Sequence, residues 1–127
     1  MEGQEAFTVV RYDAGGEYFP HCDTNCDGSA HTPGGRVATM IIYCEEAAIG
    51  GGTSFSSVDV FVKGKRGQAL LSSYYNPATG RLDNGLSRHC GCRVTEGNKR
   101  IATLTMRKGV NATVTHESFD AAGKLIK

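Results

Sequence analysis

Three observations predict an all-β domain. Seventeen glycines stand against three prolines in 127 residues, a proportion that suits the many tight turns of sandwiches and barrels. Seven or eight short runs rich in β-branched and aromatic residues follow one another at the spacing of such folds. No amphipathic helix longer than about three turns emerges from the hydrophobic periodicity.

The first run is Phe7 to Tyr12, stopped by the turn residues Asp13 to Gly16. Tyr18 to Asp23 reads as a short strand carrying polar groups, and Thr24 to Gly35 as loop, dominated by Asn, Asp, Gly, Ser and Pro. Arg36 to Cys44 is the most apolar segment and predicts a buried strand. Gly50 to Phe55 is a glycine-rich turn feeding a strand, with Gly51 and Gly52 allowing a tight turn before Thr53. Val58 to Val62 alternates as a strand would, and Gln68 to Tyr75 makes another before the turn Asn76 to Gly80. Leu86 to Val94 and Lys99 to Arg107 are the last strong strands, joined through a turn at Thr95 to Gly97. Val110 to Val114 adds an edge strand, and the tail from Glu117 to Lys127 has weak helical character.

A formal net charge of +1 gives no electrostatic case for nucleic acid or an anionic membrane as partner. With no long apolar run and a polar, acidic start, neither a transmembrane helix nor a signal peptide is expected in this chain. Five cysteines cannot all pair with one another, so at least one is free or pairs with another chain. Their spacings, C-x3-C and C-x-C, lack the paired C-x2-C knuckles of a structural zinc cage, and small buried thiols are the expectation for most of them. Asn111-Ala-Thr113 is a glycosylation sequon, relevant only in a secreted protein.

His21-Cys22-Asp23 is the sharpest local feature. Strand residues two apart share a face, so this spacing offers an imidazole nitrogen and a carboxylate oxygen side by side. A second histidine completes the facial triad of non-haem iron(II) oxygenases, which leaves metal positions open for cosubstrate and oxygen, and His89 can supply it from another strand. Lys99 follows ten residues later, past the Thr95–Gly97 turn. A β-hairpin of that length would return the chain beside His89 and aim a cation into the same cavity. A buried ammonium needs an anion, and a dicarboxylate would provide one.

The strings Val10 to Thr24, Gly35 to Tyr43, Gly51 to Phe55 and His89 to Lys99, in that order, resemble the catalytic core of prolyl 4-hydroxylases over about residues 8–107. The resemblance implies a double-stranded β-helix, or jelly roll, trimmed of N-terminal helices. It implies iron(II) held by His21, Asp23 and His89, and 2-oxoglutarate held at its far carboxylate by Lys99, with O2 and ascorbate completing the reaction. Tyr12 and Tyr43 match family tyrosines that line the cosubstrate pocket, and Thr103, on the Lys99 strand, is a further hydrogen-bond partner. The implied activity is an oxidative decarboxylation to succinate and CO2 that hydroxylates a C–H bond, in the first instance of peptidyl proline. The substrate is then a proline-containing peptide or protein, and the compartment the endoplasmic reticulum or secretory pathway, with the cytoplasm as the alternative.

Departures from the family pattern bear on the substrate more than on iron. Arg93 stands where the family often has proline, and the final strand, Thr103 to Arg107, lacks its common aromatic. Only about eleven residues precede Tyr12, where family members carry bracing helices and strands, so either the chain is a trimmed core, or substrate recognition is reduced or supplied by a partner subunit. Arg36 reads equally as a substrate-side or a structural arginine. The competing readings are a silent jelly-roll subunit and a dioxygenase acting on lysyl, small-molecule or nucleic-acid substrates.

Overall fold

The computed structural model of the chain describes all 127 residues. It contains twelve strands and no α-helix: β1 (Thr8–Tyr12), β2 (Tyr18–His21), β3 (Arg36–Glu45), β4 (Ile49–Gly50), β5 (Thr53–Phe55), β6 (Val60–Val62), β7 (Ala69–Ser73), β8 (Tyr75–Asn76), β9 (Arg81–Leu82), β10 (His89–Gly91), β11 (Val94–Glu96) and β12 (Lys99–Arg107). No helix is long and apolar enough to cross a membrane. Two four-stranded antiparallel sheets, ordered β1-β12-β3-β7 and β2-β10-β5-β6, form the two faces of the expected jelly roll.

The two longest strands carry the first sheet. β3 turns Thr39, Ile41 and Tyr43 inward, and β12 does the same with Lys99 and Ile101, as a two-residue period requires. Ile41, Tyr43 and Ile101 make a small core, backed by Val10, Tyr12, Val62 and Leu70. Gly64 has a packing reason to be glycine: a Cβ there would run into the Tyr43 ring. Only 21 residues are buried, and a cavity opens between the sheets beside this core.

Several expected strands are shorter or split. β2 stops at His21, so Asp23 lies in the turn beyond it, closed by a Cys22–Cys26 disulfide. The Val58–Val62 run begins as a 3-10 turn (Ser56–Val58), and Asp59 in the left-handed region (φ 54°) breaks it from β6. Gln68 to Tyr75 divides into β7 and β8, and Leu86 to Val94 into β10 and β11.

The Val110–Val114 edge strand does not form. The Asn111 carboxamide oxygen accepts from the amides of Thr113 and Val114, an Asx turn that captures donors a strand would need. The tail has one 3-10 turn (His116–Ser118) and an isolated bridge between Phe119 and Leu125. Nor are the thiols mostly buried: Cys44 is exposed, Cys90 and Cys92 are half-buried, and the other two are paired.

The hairpin expected between His89 and Lys99 is also absent. β10 and β12 belong to different sheets. The chain crosses between them through β11, which pairs with β4 and buries Val94 completely. Lys99 therefore faces His89 across the sandwich instead of lying beside it.

Candidate active site

A cavity of about 240 Å³ opens between the sheets. His21 from the end of β2, Asp23 from the disulfide-closed turn and His89 from β10 line one end. Their ligand atoms all lie within 4.8 Å of one another. His21 and His89 are register partners across the β2–β10 ladder, which sets their rings 4.5 Å apart. Asp23 Oδ1 stands 3.3 Å from His21 Nε2 and 3.9 Å from His89 Nε2.

Hydrogen bonds fix the state of each ligand. His21 Nδ1 donates to the Phe19 carbonyl at 2.8 Å, and His89 Nδ1 to the Ser87 carbonyl at 2.9 Å. A carbonyl only accepts, so each Nδ1 carries hydrogen and each Nε2 directs a lone pair inward. The Thr39 hydroxyl donates to Asp23 Oδ2 at 2.6 Å and stands 3.2 Å from the Tyr74 hydroxyl, leaving Oδ1 to face the imidazoles. Three electron-pair donors thus converge with no hydrogen between them once the rings are neutral. That arrangement repels itself unless a cation sits among them, and two imidazoles with one carboxylate suit a ferrous ion.

The electrostatics agree. Burial pulls the His21 pKa down but is outweighed by hydrogen bonds to Asp23 and the Phe19 carbonyl, so it lies above the ordinary value. Burial likewise works against Asp23 as an anion, yet its bonds to His21 and Thr39 and the charge of His89 hold it below the usual carboxylate range.

At the other end Lys99 is 3% exposed, and its ammonium has no hydrogen bond or ion pair with the protein. It lies 5.4 Å from the Tyr12 ring centroid and 5.9 Å from that of Tyr43. Burial lowers its pKa, against a smaller opposing effect of Cys92 and Cys90. A buried cation without a partner is costly, so this end is built for an anion.

The family model of the 2OG-Fe(II) oxygenase superfamily matches residues 7–107. The chain belongs to that superfamily. The chain is 32% identical over 106 residues to chicken (Gallus gallus) prolyl 4-hydroxylase subunit alpha-1 and 31% over 103 to the human (Homo sapiens) subunit. These matches cover 77% of this chain but 20% and 19% of those proteins. Probable prolyl 4-hydroxylase 3 of Arabidopsis thaliana is 35% identical over 125 residues, covering 83% of this chain and 43% of its own length. The chain thus spans from a fifth to under half of these relatives. The viral collagen prolyl hydroxylase of Paramecium bursaria Chlorella virus-1, in complex with 2-oxoglutarate, superposes with a TM-score of 0.63 at 26% identity, over 84% of this chain and 63% of that one. A truncated form of the same viral enzyme gives 0.68 at 27%, over 84% and 60%.

The other expected site residues sort unevenly in the structure. Tyr12, opposite Lys99 in the β1–β12 register, lines the cavity. Tyr43 does not; its ring packs below Lys99, and its hydroxyl meets the Thr53 hydroxyl at 2.9 Å, so Thr53 is the residue that reaches the cavity. Thr103 lines the cavity, but its hydroxyl leans back to the Thr8 carbonyl at 3.4 Å.

Arg36 resolves as a brace. Two of its nitrogens donate to the Glu5 carboxylate at 2.8 Å each and a third to the Asp23 carbonyl at 3.0 Å, while Arg107 donates to the same carboxylate at 2.7 Å. Burial alone would raise the Glu5 pKa; the two arginines overcome it and hold it below the usual range. Glu5, Thr39, Thr53 and Tyr74 were not singled out from sequence. Strand parity with Tyr43 marks Thr39 as inward-facing, whereas the register of Glu5, ahead of β1, carries no such signal.

Proposed function

We propose that the chain is an iron(II)- and 2-oxoglutarate-dependent dioxygenase that hydroxylates peptidyl proline. One observation carries this reading: a single cavity joins three convergent electron-pair donors at one end to an unpaired buried ammonium at the other. His21, Asp23 and His89 hold the metal. Lys99 takes the far carboxylate of 2-oxoglutarate, with Tyr12, Thr53 and, through Thr53, Tyr43 lining its seat; Thr103 stands further along the wall. Bound iron supplies the oxygen-activating and hydrogen-abstracting chemistry, coupled to release of succinate and CO2.

What the chain does is hold and exclude. The Nδ1 bonds to Phe19 and Ser87 keep both imidazoles in the ligating tautomer. Thr39 keeps the Asp23 carboxylate turned so that one oxygen faces the metal position. The buried position of Lys99 beside two tyrosine rings removes water from the carboxylate contact and strengthens it. The mouth carries Tyr18, whose ring lies 4.0 Å from that of His21 and offers a flat apolar wall to a substrate.

Proline as the substrate is supported by the names of the relatives, all prolyl 4-hydroxylases, and by the viral collagen prolyl hydroxylase. Ascorbate as reductant and a partner subunit completing substrate recognition belong to the same reading. An oxidising compartment, the secretory pathway, suits the Cys22–Cys26 disulfide. The test is turnover in air with iron(II), 2-oxoglutarate and proline-rich peptides. Stoichiometric succinate and one added oxygen on proline are expected. Succinate without peptide oxidation would move the substrate elsewhere, and no succinate together with no anaerobic charge-transfer band would leave a silent jelly roll.

A further inference from the structure

We propose that Cys90 and Cys92 form a reversible dithiol–disulfide couple, a redox modification site on the strand that carries His89. The two sulfurs are 3.9 Å apart, both residues are half-buried, and neither is engaged elsewhere. Residues two apart on a strand share a face, so the thiols stand together on the side opposite His89 and Gly91. Small disulfides can reach them there without entering the cavity.

The chemistry balances with a low-molecular-weight disulfide, such as oxidised glutathione, as oxidant. One cysteine thiolate attacks a sulfur of the oxidant and expels the first glutathione thiolate. The second cysteine, its proton given to water, attacks the mixed disulfide and expels the other glutathione. Two protein thiols lose two electrons, and one glutathione disulfide becomes two thiols.

Closure has a mechanical consequence. Closure must draw the sulfurs from 3.9 Å to a bond of about 2.05 Å. The backbone that takes up this movement is Gly91. The strand is already irregular there, its register with β2 shifting between His89 and Gly91. The flanking bonds are firm: Cys90 pairs with Ser54, and the Cys92 amide donates to the Gly52 carbonyl at 2.8 Å. Gly91 forms cavity wall so close-fitting that a Cβ on it would lie 3.3 Å from Tyr18 Cβ and 3.9 Å from Lys99 Nζ. Oxidation behind the wall thus displaces the wall in front, beside Lys99 and next to His89. This coupling rests on the oxygenase reading; the sulfur chemistry does not.

The whole chain, loaded with cobalt(II) in place of iron, is equilibrated in glutathione buffers from reducing to oxidising, alkylated and digested with trypsin. Cleavage after Arg88 and Arg93 isolates both cysteines on His89–Arg93, while Cys22 and Cys26 fall on Tyr12–Arg36. The shorter peptide is expected to lose two hydrogens in the oxidising buffers, and 2-oxoglutarate affinity, measured by calorimetry, to fall about tenfold in step. The Cys90→Ser/Cys92→Ser variant should hold one affinity throughout, which separates this couple from Cys22–Cys26. Recovery of His89–Arg93 with both sulfurs alkylated or separately glutathionylated, in buffers that keep Cys22–Cys26 closed, overturns the couple. Disulfide formation with unchanged affinity overturns the coupling. Absence of 2-oxoglutarate binding in every buffer would instead sink the oxygenase reading, and the peptide masses would still decide the couple.

Discussion

The two ends of the cavity are electrical opposites. At one end two imidazoles and a carboxylate aim electron pairs at a common point; at the other a lysine ammonium is sealed from water with no counter-charge. They are also built differently. The metal end draws on the β2–β10 ladder and a short disulfide-closed turn, and each ligand is held by a hydrogen bond to backbone or to Thr39. The Lys99 end stands on β12, an inner long strand of the other sheet, and is held by packing against two rings. The contrast teaches that each end is incomplete alone, and that the missing charges specify the ligand: a cation bound to a molecule whose far end is anionic.

If the ends are separable, substitutions should divide their effects. Asp23→Ala removes the only anionic ligand, so cobalt(II) affinity should fall by more than about 100-fold and succinate release vanish. Tight metal binding surviving in that variant would break the assignment of the metal end. Lys99→Ala removes a charge-assisted contact worth roughly 1.5–3 kcal/mol, which predicts a 2-oxoglutarate KM raised about 10- to 100-fold. Metal affinity should be untouched; if it falls equally, the ends are one unit and the comparison fails.

Smaller effects sharpen the metal end. Thr39→Val frees Asp23 Oδ2 and should weaken cobalt(II) about tenfold, with Thr39→Ser restoring most of it. Equal loss in both variants would point to packing and not to the hydroxyl. For pH, proton and metal compete for the His21 nitrogen. Because the His21 pKa is raised, metal affinity should begin to fall above the pH at which an ordinary histidine protonates, by up to about tenfold per unit as pH drops further. Asp23, held low, stays ionised and adds no slope in that range. A flat cobalt(II) titration between neutral and mildly acid pH would show that the His21 nitrogen is not a ligand.

The legibility of the sequence followed the range of each interaction. The β class and the long strands β3 and β12 were readable because alternation and apolar runs are local. His21 and Asp23 were found two residues apart, though not on one strand: β2 ends early, and the turn made by Cys22–Cys26 does the aligning. Lys99 shares a cavity with His89, as the sequence suggests, but not through a hairpin: the crossing through β11 depends on pairing with β4, some forty residues away. Tyr43 matches a pocket-lining tyrosine in sequence, and in the structure its hydroxyl meets Thr53, which lines the cavity, a distinction of one hydroxyl's reach. The Asn111 turn, the Asp59 break and the Glu5 clamp depend on single side chains meeting particular backbone or charge, which no periodic pattern announces.

The crossing segment has one more consequence. Lys99 points inward and Arg100 outward, toward Glu45 at 3.6 Å, because the six residues between Cys92 and Lys99 are held in one phase by buried Val94. Loss of a single residue there would invert the strand's faces, turning Lys99 to solvent and swinging the Arg100 guanidinium into its place. The chain therefore sits one indel from a cavity with a different cation, a planar fork in place of a point charge. Length in this connector, as well as substitution at position 99, is therefore a route by which such a fold could change the acid it accepts.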